Sequence, residues 1–368
     1  MLLFPKKVET STGSEQVFCI LSEHKERLEK LQQLLLLAGF TQVEAIAGAV
    51  LKTTSLPLPP RTRGVIIDVG DSLNPQETIL AIKTLVPRDI WCCVVGNQDA
   101  ITLAKVYAHQ GLHYFYLDAQ EDELIQMVTS GNSASSFRWA VNISILGCKG
   151  GIGNTSIAHQ LVNKIIQVRR MPTLFIQGKS GSNDLDLLFD KKMNQEMMPA
   201  GKYLDLLCLQ DQLLPQLKLE TTGKYNFVIY EETVNSTEKE HIRQIIESTS
   251  CLVLVLDRSM SSVRVVRQAL EINESVSRSL PAPRRLLICL SDSRPVSSDM
   301  LSQQDIQSLI QRKIDIVFPW RKSRLRPAFF TLKTLLSPED RLTRQVLGGF
   351  EKVKPSKRRW INKKTGEI

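Results

Sequence analysis

The chain has 368 residues, 42% of them hydrophobic and 23% charged, with 16 prolines and 19 glycines. Those are ordinary globular proportions, and the length suits two domains of roughly 130 and 220 residues rather than a single core. Residues 321–368 hold fourteen Lys/Arg against four Asp/Glu, a net of +10, so the rest of the +9 chain sums to −1: a near-neutral body with a basic end.

No apolar run reaches the ~18–20 residues of a membrane span, and MLLFPKKVE has no h-region ahead of its lysines. We therefore expect a cytoplasmic protein. The seven cysteines form no CxxC or Cys/His metal spacing. Six lie in or beside apolar runs and read as buried, reduced thiols. Cys148 differs in sitting at the mouth of a glycine loop.

From residue 17 an α/β alternation begins. VFCIL (17–21) reads as a buried strand, KERLEKLQQLLLLAG (25–39) as a helix closed by Gly39, and VEAIA (43–47) as a strand. LPLPP (56–60) marks a turn or crossover. Next come strand 64–70, helix 75–85, strand 91–96, helix 99–111, strand 113–118 and helix 121–128. Such a (βα)5 series predicts a parallel sheet with helices on both faces.

This half resembles the receiver fold of two-component signalling, with Asp68 at the phosphoacceptor position by strand order. The phosphorylation set departs from the pattern. Ser22 and Glu23 stand where receivers carry paired acids, Gly96 replaces the Ser/Thr, and Leu117 and Asp118 replace the lysine. Phosphoryl transfer to Asp68 would then lack charge stabilisation. The expected role is a binding or dimerisation module.

TSGNSASSF (129–137) reads as a linker. Strand 140–147 leads into LGCKGGIGNTS (146–156), and helix 154–169 follows. Strands are expected at 172–177, 225–232, 251–257, 285–291 and 314–319, with helices at 261–276 and 305–313. We set the boundaries at 1–128 for the receiver-like domain, 129–138 for the linker, 139–350 for a nucleotide-binding domain and 351–368 for a basic tail.

A strand–glycine–helix turn aims backbone N–H groups and the positive end of a helix dipole at an anion. Thr155 adds a hydroxyl for Mg²⁺. KGGIGNT resembles the deviant Walker A box, KGGxGK[ST], of the ParA/MinD ATPases. The resemblance implies that Lys149, Gly150, Gly151, Ile152, Gly153, Asn154, Thr155 and Ser156 hold ATP (or ADP), with Mg²⁺. It also implies a homodimer in which Lys149 touches the partner's nucleotide. KYNFVIYEE resembles the Walker B strand and places Glu231 at the metal-site acid, so that Thr155 and Glu231 are the expected Mg²⁺ ligands. PTLFIQGKSGSNDLDLLFD resembles the switch segment, with Gln177 and Lys179 at its acidic positions. IDIVFPWR resembles the last strand. Ser291 and Pro319 fall where the family approaches the base.

A receiver-like domain joined to a ParA/MinD-like domain with a mostly parallel sheet resembles the TadZ/CpaE localisation proteins of tight-adherence (Flp) pilus assembly. That likeness implies recruitment of the pilus secretion motor ATPase and other assembly proteins, at a cell pole beside the inner membrane. Asn154 replaces the loop lysine, and losing a charge-assisted contact costs roughly 1.5–3 kcal/mol. Removing a donor to transition-state charge slows turnover by about 10²–10³. Gln177 could position water only weakly, Lys179 could not act as a base, and Glu231 is one methylene longer than Asp. We expect a nucleotide-bound dimer with little or no hydrolysis. The alternative is an active ParA/MinD-like ATPase cycling on DNA or membrane. KVKPSKRRWINKK (352–364) sets Trp360 among seven Lys/Arg, which suits a disordered or partner-docking tail, an anionic membrane or nucleic acid.

Overall fold

The computed structural model describes residues 17–72, 74–130, 140–181, 184–191, 197–209, 223–279, 284–320 and 337–348. Most of the expected 129–138 linker and the whole basic tail lie outside these residues.

The amino-terminal part runs β1 (Val17–Ser22), α1 (Lys25–Leu37), β2 (Gln42–Ala47), β3 (Thr62–Gly70), α2 (Pro75–Leu85), β4 (Trp91–Gly96), α3 (Ile101–Ala108), β5 (His113–Tyr116) and α4 (Glu121–Thr129). Its five strands are parallel in the order β2-β1-β3-β4-β5. This is the flavodoxin-like doubly wound order, with its switch point between β1 and β3. Successive strand residues face opposite sides, and the core divides accordingly. Phe18, Ile20, Ile66, Cys93 and Val95 meet α1 and α4 through Leu31, Leu35, Leu124 and Val128. Cys19, Leu21, Val65, Ile67 and Val94 meet α2 and α3 through Ile79, Ile82 and Tyr107. The β2–β3 connection carries no helix. Pro57, Pro59 and Pro60 withhold the N–H groups a helix interior needs. Four helices, not five, therefore cover this sheet among the described residues.

The second part contains β6 (Val141–Gly147), α5 (Asn154–Arg169), β7 (Thr173–Gln177), α6 (Leu185–Phe189), β8 (Met198–Gly201), β9 (Leu204–Cys208), β10 (Phe227–Thr233), α7 (Lys239–Glu247), β11 (Cys251–Leu256), α8 (Met260–Ser279), β12 (Arg285–Ser291), α9 (Gln303–Ile310), β13 (Ile316–Phe318) and α10 (Pro338–Leu347). The sheet order is β13-β12-β11-β6-β10-β7-β9-β8, parallel except that edge strand β8 runs against β9. Ile143, Ile145 and Ile229 pack under α5 and α10. Leu146, Leu254 and Tyr230 pack under α7, α8 and α9. β6 lies centrally between β10 and β11, so the loop at its carboxyl end emerges mid-sheet, where open α/β sheets bind ligands.

The two parts touch at the amino ends of the second sheet's strands. Asn226, which precedes β10, donates to the Val86 carbonyl at 3.3 Å and accepts from Arg88 N–H at 3.4 Å. Arg88 Nη1 donates to the Tyr225 carbonyl at 2.9 Å, and Thr84 Oγ1 to the Leu347 carbonyl at 3.2 Å. Leu80 of α2 packs into the second core. This junction is at the opposite end of the sheet from the glycine loop and leaves the loop face uncovered by the first sheet.

Candidate nucleotide site

Residues 148–153 join β6 to α5. Gly151 (φ +72) and Gly153 (φ +84) take the left-handed backbone that favours glycine. A Cβ at Gly150 or Gly151 would meet nothing within 4 Å, so the outer loop surface is open. Three neighbouring strands brace the loop. Cys148 N–H donates to the Val255 carbonyl at 2.8 Å, Val234 N–H to the Gly147 carbonyl at 2.8 Å, and Ser291 Oγ to the Ile152 carbonyl at 2.6 Å. The first turn of α5 then presents helix N–H groups of the kind that bind anions.

Beneath the loop, Asn154, Thr155 and Gln177 converge on one carboxylate. Asn154 Nδ2 donates to Glu231 Oε1 at 2.7 Å, and Thr155 Oγ1 to the same oxygen at 3.1 Å. Gln177 Nε2 donates to Oε2 at 3.2 Å. The register explains the convergence: Glu231 lies opposite Ile145 of β6 on one side and Gln177 of β7 on the other. Gly147 permits it too, because a Cβ there would fall 2.9 Å from Asn154 Cγ. Glu231 is fully buried. Burial pushes its carboxyl above the ordinary range, against the bonds from Gln177, Asn154 and Thr155.

Lys149 is turned along its own chain. Its Nζ lies 3.2 Å from Asp257 Oδ2 and 3.3 Å from Ser259 Oγ, with a partly exposed side chain. Burial works against the charge of Asp257, but hydrogen bonds from Ser259, Ser262 and Lys149 outweigh it and hold the carboxyl below its usual value. Lys179 is exposed, Ser156 is half-buried, and Pro319 is exposed just past β13. Ser291 spends its hydroxyl on the loop backbone. Cys148 is buried like most of the other cysteines, not held open at a loop mouth, and its thiol is pushed up by burial.

Two acids of the site carried no role in the sequence reading. Asp257 is one; its signal was the acid closing the run CLVLVLD. Glu232 is the other, in the doublet after Tyr230. It faces the opposite side of β10, accepting from Tyr230 Oη at 2.5 Å and Ser180 N–H at 3.1 Å, with His241 Nε2 at 3.5 Å. Glu232 thereby ties the loop after β7 to the strand bearing Glu231.

The residues suit a magnesium nucleotide. Thr155 Oγ1 and Glu231 Oε1 supply adjacent oxygen ligands for a hard divalent ion, and the open glycine loop supplies N–H groups for phosphate. Asn154 brings no charge. Among the described residues, no group of three or more His, Cys, Asp or Glu is placed to hold a metal ion unaided.

In the first sheet Asp68 is buried and fully engaged. Ser22 Oγ donates to its Oδ2 at 2.6 Å, Gly70 N–H to its Oδ1 at 2.9 Å, and Arg27 lies 2.9 Å from Oδ1. Glu23 pairs with Lys52 at 2.7 Å instead of with Asp68.

No protein-family model matches the chain, and no curated protein matches it. Solved structures do. The ParA family ATPase from Chlorobium tepidum TLS is 16% identical, over 56% of this chain and 96% of that one, at a TM-score of 0.37. The MinD cell division protein of Aquifex aeolicus is 14% identical, over 50% and 84%, at 0.38. A plasmid partition protein from Borrelia burgdorferi is 11% identical, over 57% and 97%, at 0.39. Among the described residues no helix is long and apolar enough to cross a membrane.

Proposed function

We propose that this chain is a ParA/MinD-like, ATP-binding positioning protein of the TadZ/CpaE kind, working as a nucleotide-held homodimer with little or no hydrolysis. It localises a tight-adherence pilus secretion system by recruiting the motor ATPase and other assembly proteins at a cell pole. The observation that carries the reading is the cradle: an open glycine loop over Thr155 and Glu231, with Asn154 where a charged donor would act. Thr155 and Glu231 would hold Mg²⁺, which supplies charge neutralisation for the phosphates. The loop N–H groups would bind the phosphates, and Ser291, through Ile152, keeps the loop in shape.

What favours holding over turnover is the fate of three polar side chains around the loop. Asn154 and Gln177 are neutral donors already committed to Glu231, and Lys179 points to solvent. None is placed to take a proton from water. Lys149, poised on Asp257 and Ser259, is the group that would cross to a second copy. The first domain is a receiver-like module whose Asp68 is closed by Ser22 and Arg27, so its role is binding. The basic tail at 351–368 adds contact with an acidic protein face, an anionic membrane or nucleic acid.

Steady-state ATPase measurements on wild type and Asn154→Lys, each with and without DNA and anionic vesicles, test this. We expect wild type near background and the lysine variant at least about tenfold faster. Stimulated wild-type turnover would replace this reading with that of an active ATPase cycling on DNA or membrane. Nucleotide co-purifying with a dimer-sized particle is the expected state of the isolated protein.

A further inference from the structure

Asn154 poses a specific question of charge. Its amide nitrogen faces three acceptors: Glu231 Oε1 at 2.7 Å, the Glu232 carbonyl at 3.3 Å and the Ile145 carbonyl at 3.4 Å. That environment fixes which end of the amide is NH₂, since the reversed amide would set an oxygen against three oxygens. The other end, Oδ1, is buried without a hydrogen-bond partner, in a residue only 4% exposed. Buried acceptors of this kind are normally satisfied, so the oxygen is open to a donor or a cation.

Electrostatics leads to the same place. Glu231 is 0% exposed, and its partners Asn154, Thr155 and Gln177 are all neutral. No Lys or Arg among the described residues pairs with it. Lys149, the cation of the glycine loop, is engaged by Asp257 and Ser259. The box that KGGIGNT resembles carries a lysine at 154, and an ammonium there would place a positive charge beside Glu231. With Asn there, the cradle is one positive charge short, before a polyanionic ligand arrives. Asn154 nonetheless sets an acceptor oxygen close to Glu231. The two ends of an amide are about 2.2 Å apart, so Oδ1 lies within about 5 Å of Glu231 Oε1, a gap one ion can bridge.

We propose that a monovalent cation of potassium size takes the place of the missing lysine ammonium, held by Asn154 Oδ1 and the Glu231 carboxylate, and that tight nucleoside triphosphate binding requires it. The proposal rests on the nucleotide reading above. Mg²⁺ at Thr155 and Glu231 is a separate requirement, so the monovalent effect persists at saturating Mg²⁺. A divalent ion alone does not replace it, because the missing ammonium is a second, distinct charge.

The test is titration of a fluorescent ATP analogue into the full chain at saturating Mg²⁺, in KCl, NaCl or choline chloride of equal ionic strength. Affinity should be about tenfold or more higher in KCl than in choline chloride, the factor a charge-assisted contact is worth. Asn154→Ala should bind weakly and equally in all three salts. Asn154→Lys should bind tightly in all three, which also shows that position 154 tolerates change without loss of the fold. Thallium-205 NMR reads the cation itself: a saturable Tl⁺ signal in wild type, displaced by K⁺ and absent in both variants. Equal wild-type affinity in the three salts, or a K⁺ effect unchanged in Asn154→Ala, overturns the cation proposal and leaves nucleotide binding intact. No binding by wild type or Asn154→Lys in any salt overturns the nucleotide reading. The thallium signal then decides the cation site, and its absence overturns that too.

Discussion

Glu231→Gln separates the structural cost of the buried carboxylate from its use. In the free protein Asn154 and Thr155 share Oε1 while Gln177 alone uses Oε2. Glutamine keeps an acceptor for the first two, and Gln177 can turn its amide to receive the new NH₂. Hydrogen bonds to a charged group are worth about 1.5–3 kcal/mol and neutral ones about 0.5–1.5, so neutralising the acceptor loses about 1 kcal/mol at each of three bonds. Against this stands the effective penalty of burying an ion, several kcal/mol. The carboxyl is shifted upward, so burial outweighs the three bonds. The variant should be more stable than wild type by about 1 kcal/mol, a rise of about 2–4 °C in Tm for a domain of this size. The sign with pH follows from linkage. A carboxyl raised in the fold binds its proton before the unfolded chain does, so wild type loses stability as pH rises through that raised value. The difference should be full at pH above that raised value and vanish on acidification through the carboxylate range. Adding Mg²⁺ with ATP should reverse the order, stabilising wild type and not the variant. Scanning calorimetry across pH, with and without Mg²⁺–ATP, measures all of this. If Glu231→Gln melts below wild type at the alkaline end of that scan without Mg²⁺, the three bonds outweigh burial and the reasoning is wrong.

Lys149→Ala should leave Tm nearly unchanged, since a partly exposed ion pair is worth under about 1 kcal/mol, yet abolish nucleotide-dependent dimer mass in light scattering. The depressed Asp257 contributes stability above the ordinary aspartate range and loses it as pH falls through the lowered value. Lys149→Ala should therefore lose less on acidification, as acid titration followed by circular dichroism would show. Asp68 should stay unlabelled by acetyl phosphate, and Asp68→Ala should cost about 3 kcal/mol in denaturant melts by leaving Arg27 without its buried partner. Asn226→Ala removes two bonds across the junction of the sheets and should cost about 1–3 kcal/mol, with proteolysis between the two parts accelerated.

Much of the fold was legible because β-rich apolar runs such as WCCVVG and CLVLVL have one stable use, strands covered on both faces. The course of the loop was equally legible, since Gly151 and Gly153 supply the left-handed backbone of a tight strand-to-helix turn. Missed elements have physical reasons. The β8–β9 hairpin occupies a sheet edge, where MPAGKYLDLLC need not be uniformly apolar. The isoleucines of α7 (Ile242, Ile245 and Ile246) are helically spaced but surrounded by charge. α10 follows a long stretch without a clear pattern and earns its place only by packing Leu342 and Val346 against α5's face of the sheet.

Residue types and local spacing thus determined the strands, the loop and the identity of the groups beneath it. Their meeting was decided by tertiary structure. Glu231 reaches Asn154, 77 residues earlier, and Gln177, 54 residues earlier, only because β10 inserts between β6 and β7. Lys149 finds Asp257 because β11 flanks β6 on the other side, and Arg27 finds Asp68 because β1 and β3 adjoin at a switch point. Strand order is a long-range choice among packings of similar segments, settled by which faces bury together. For that reason a sequence that spells out the glycine loop is silent on the uncompensated carboxylate beneath it.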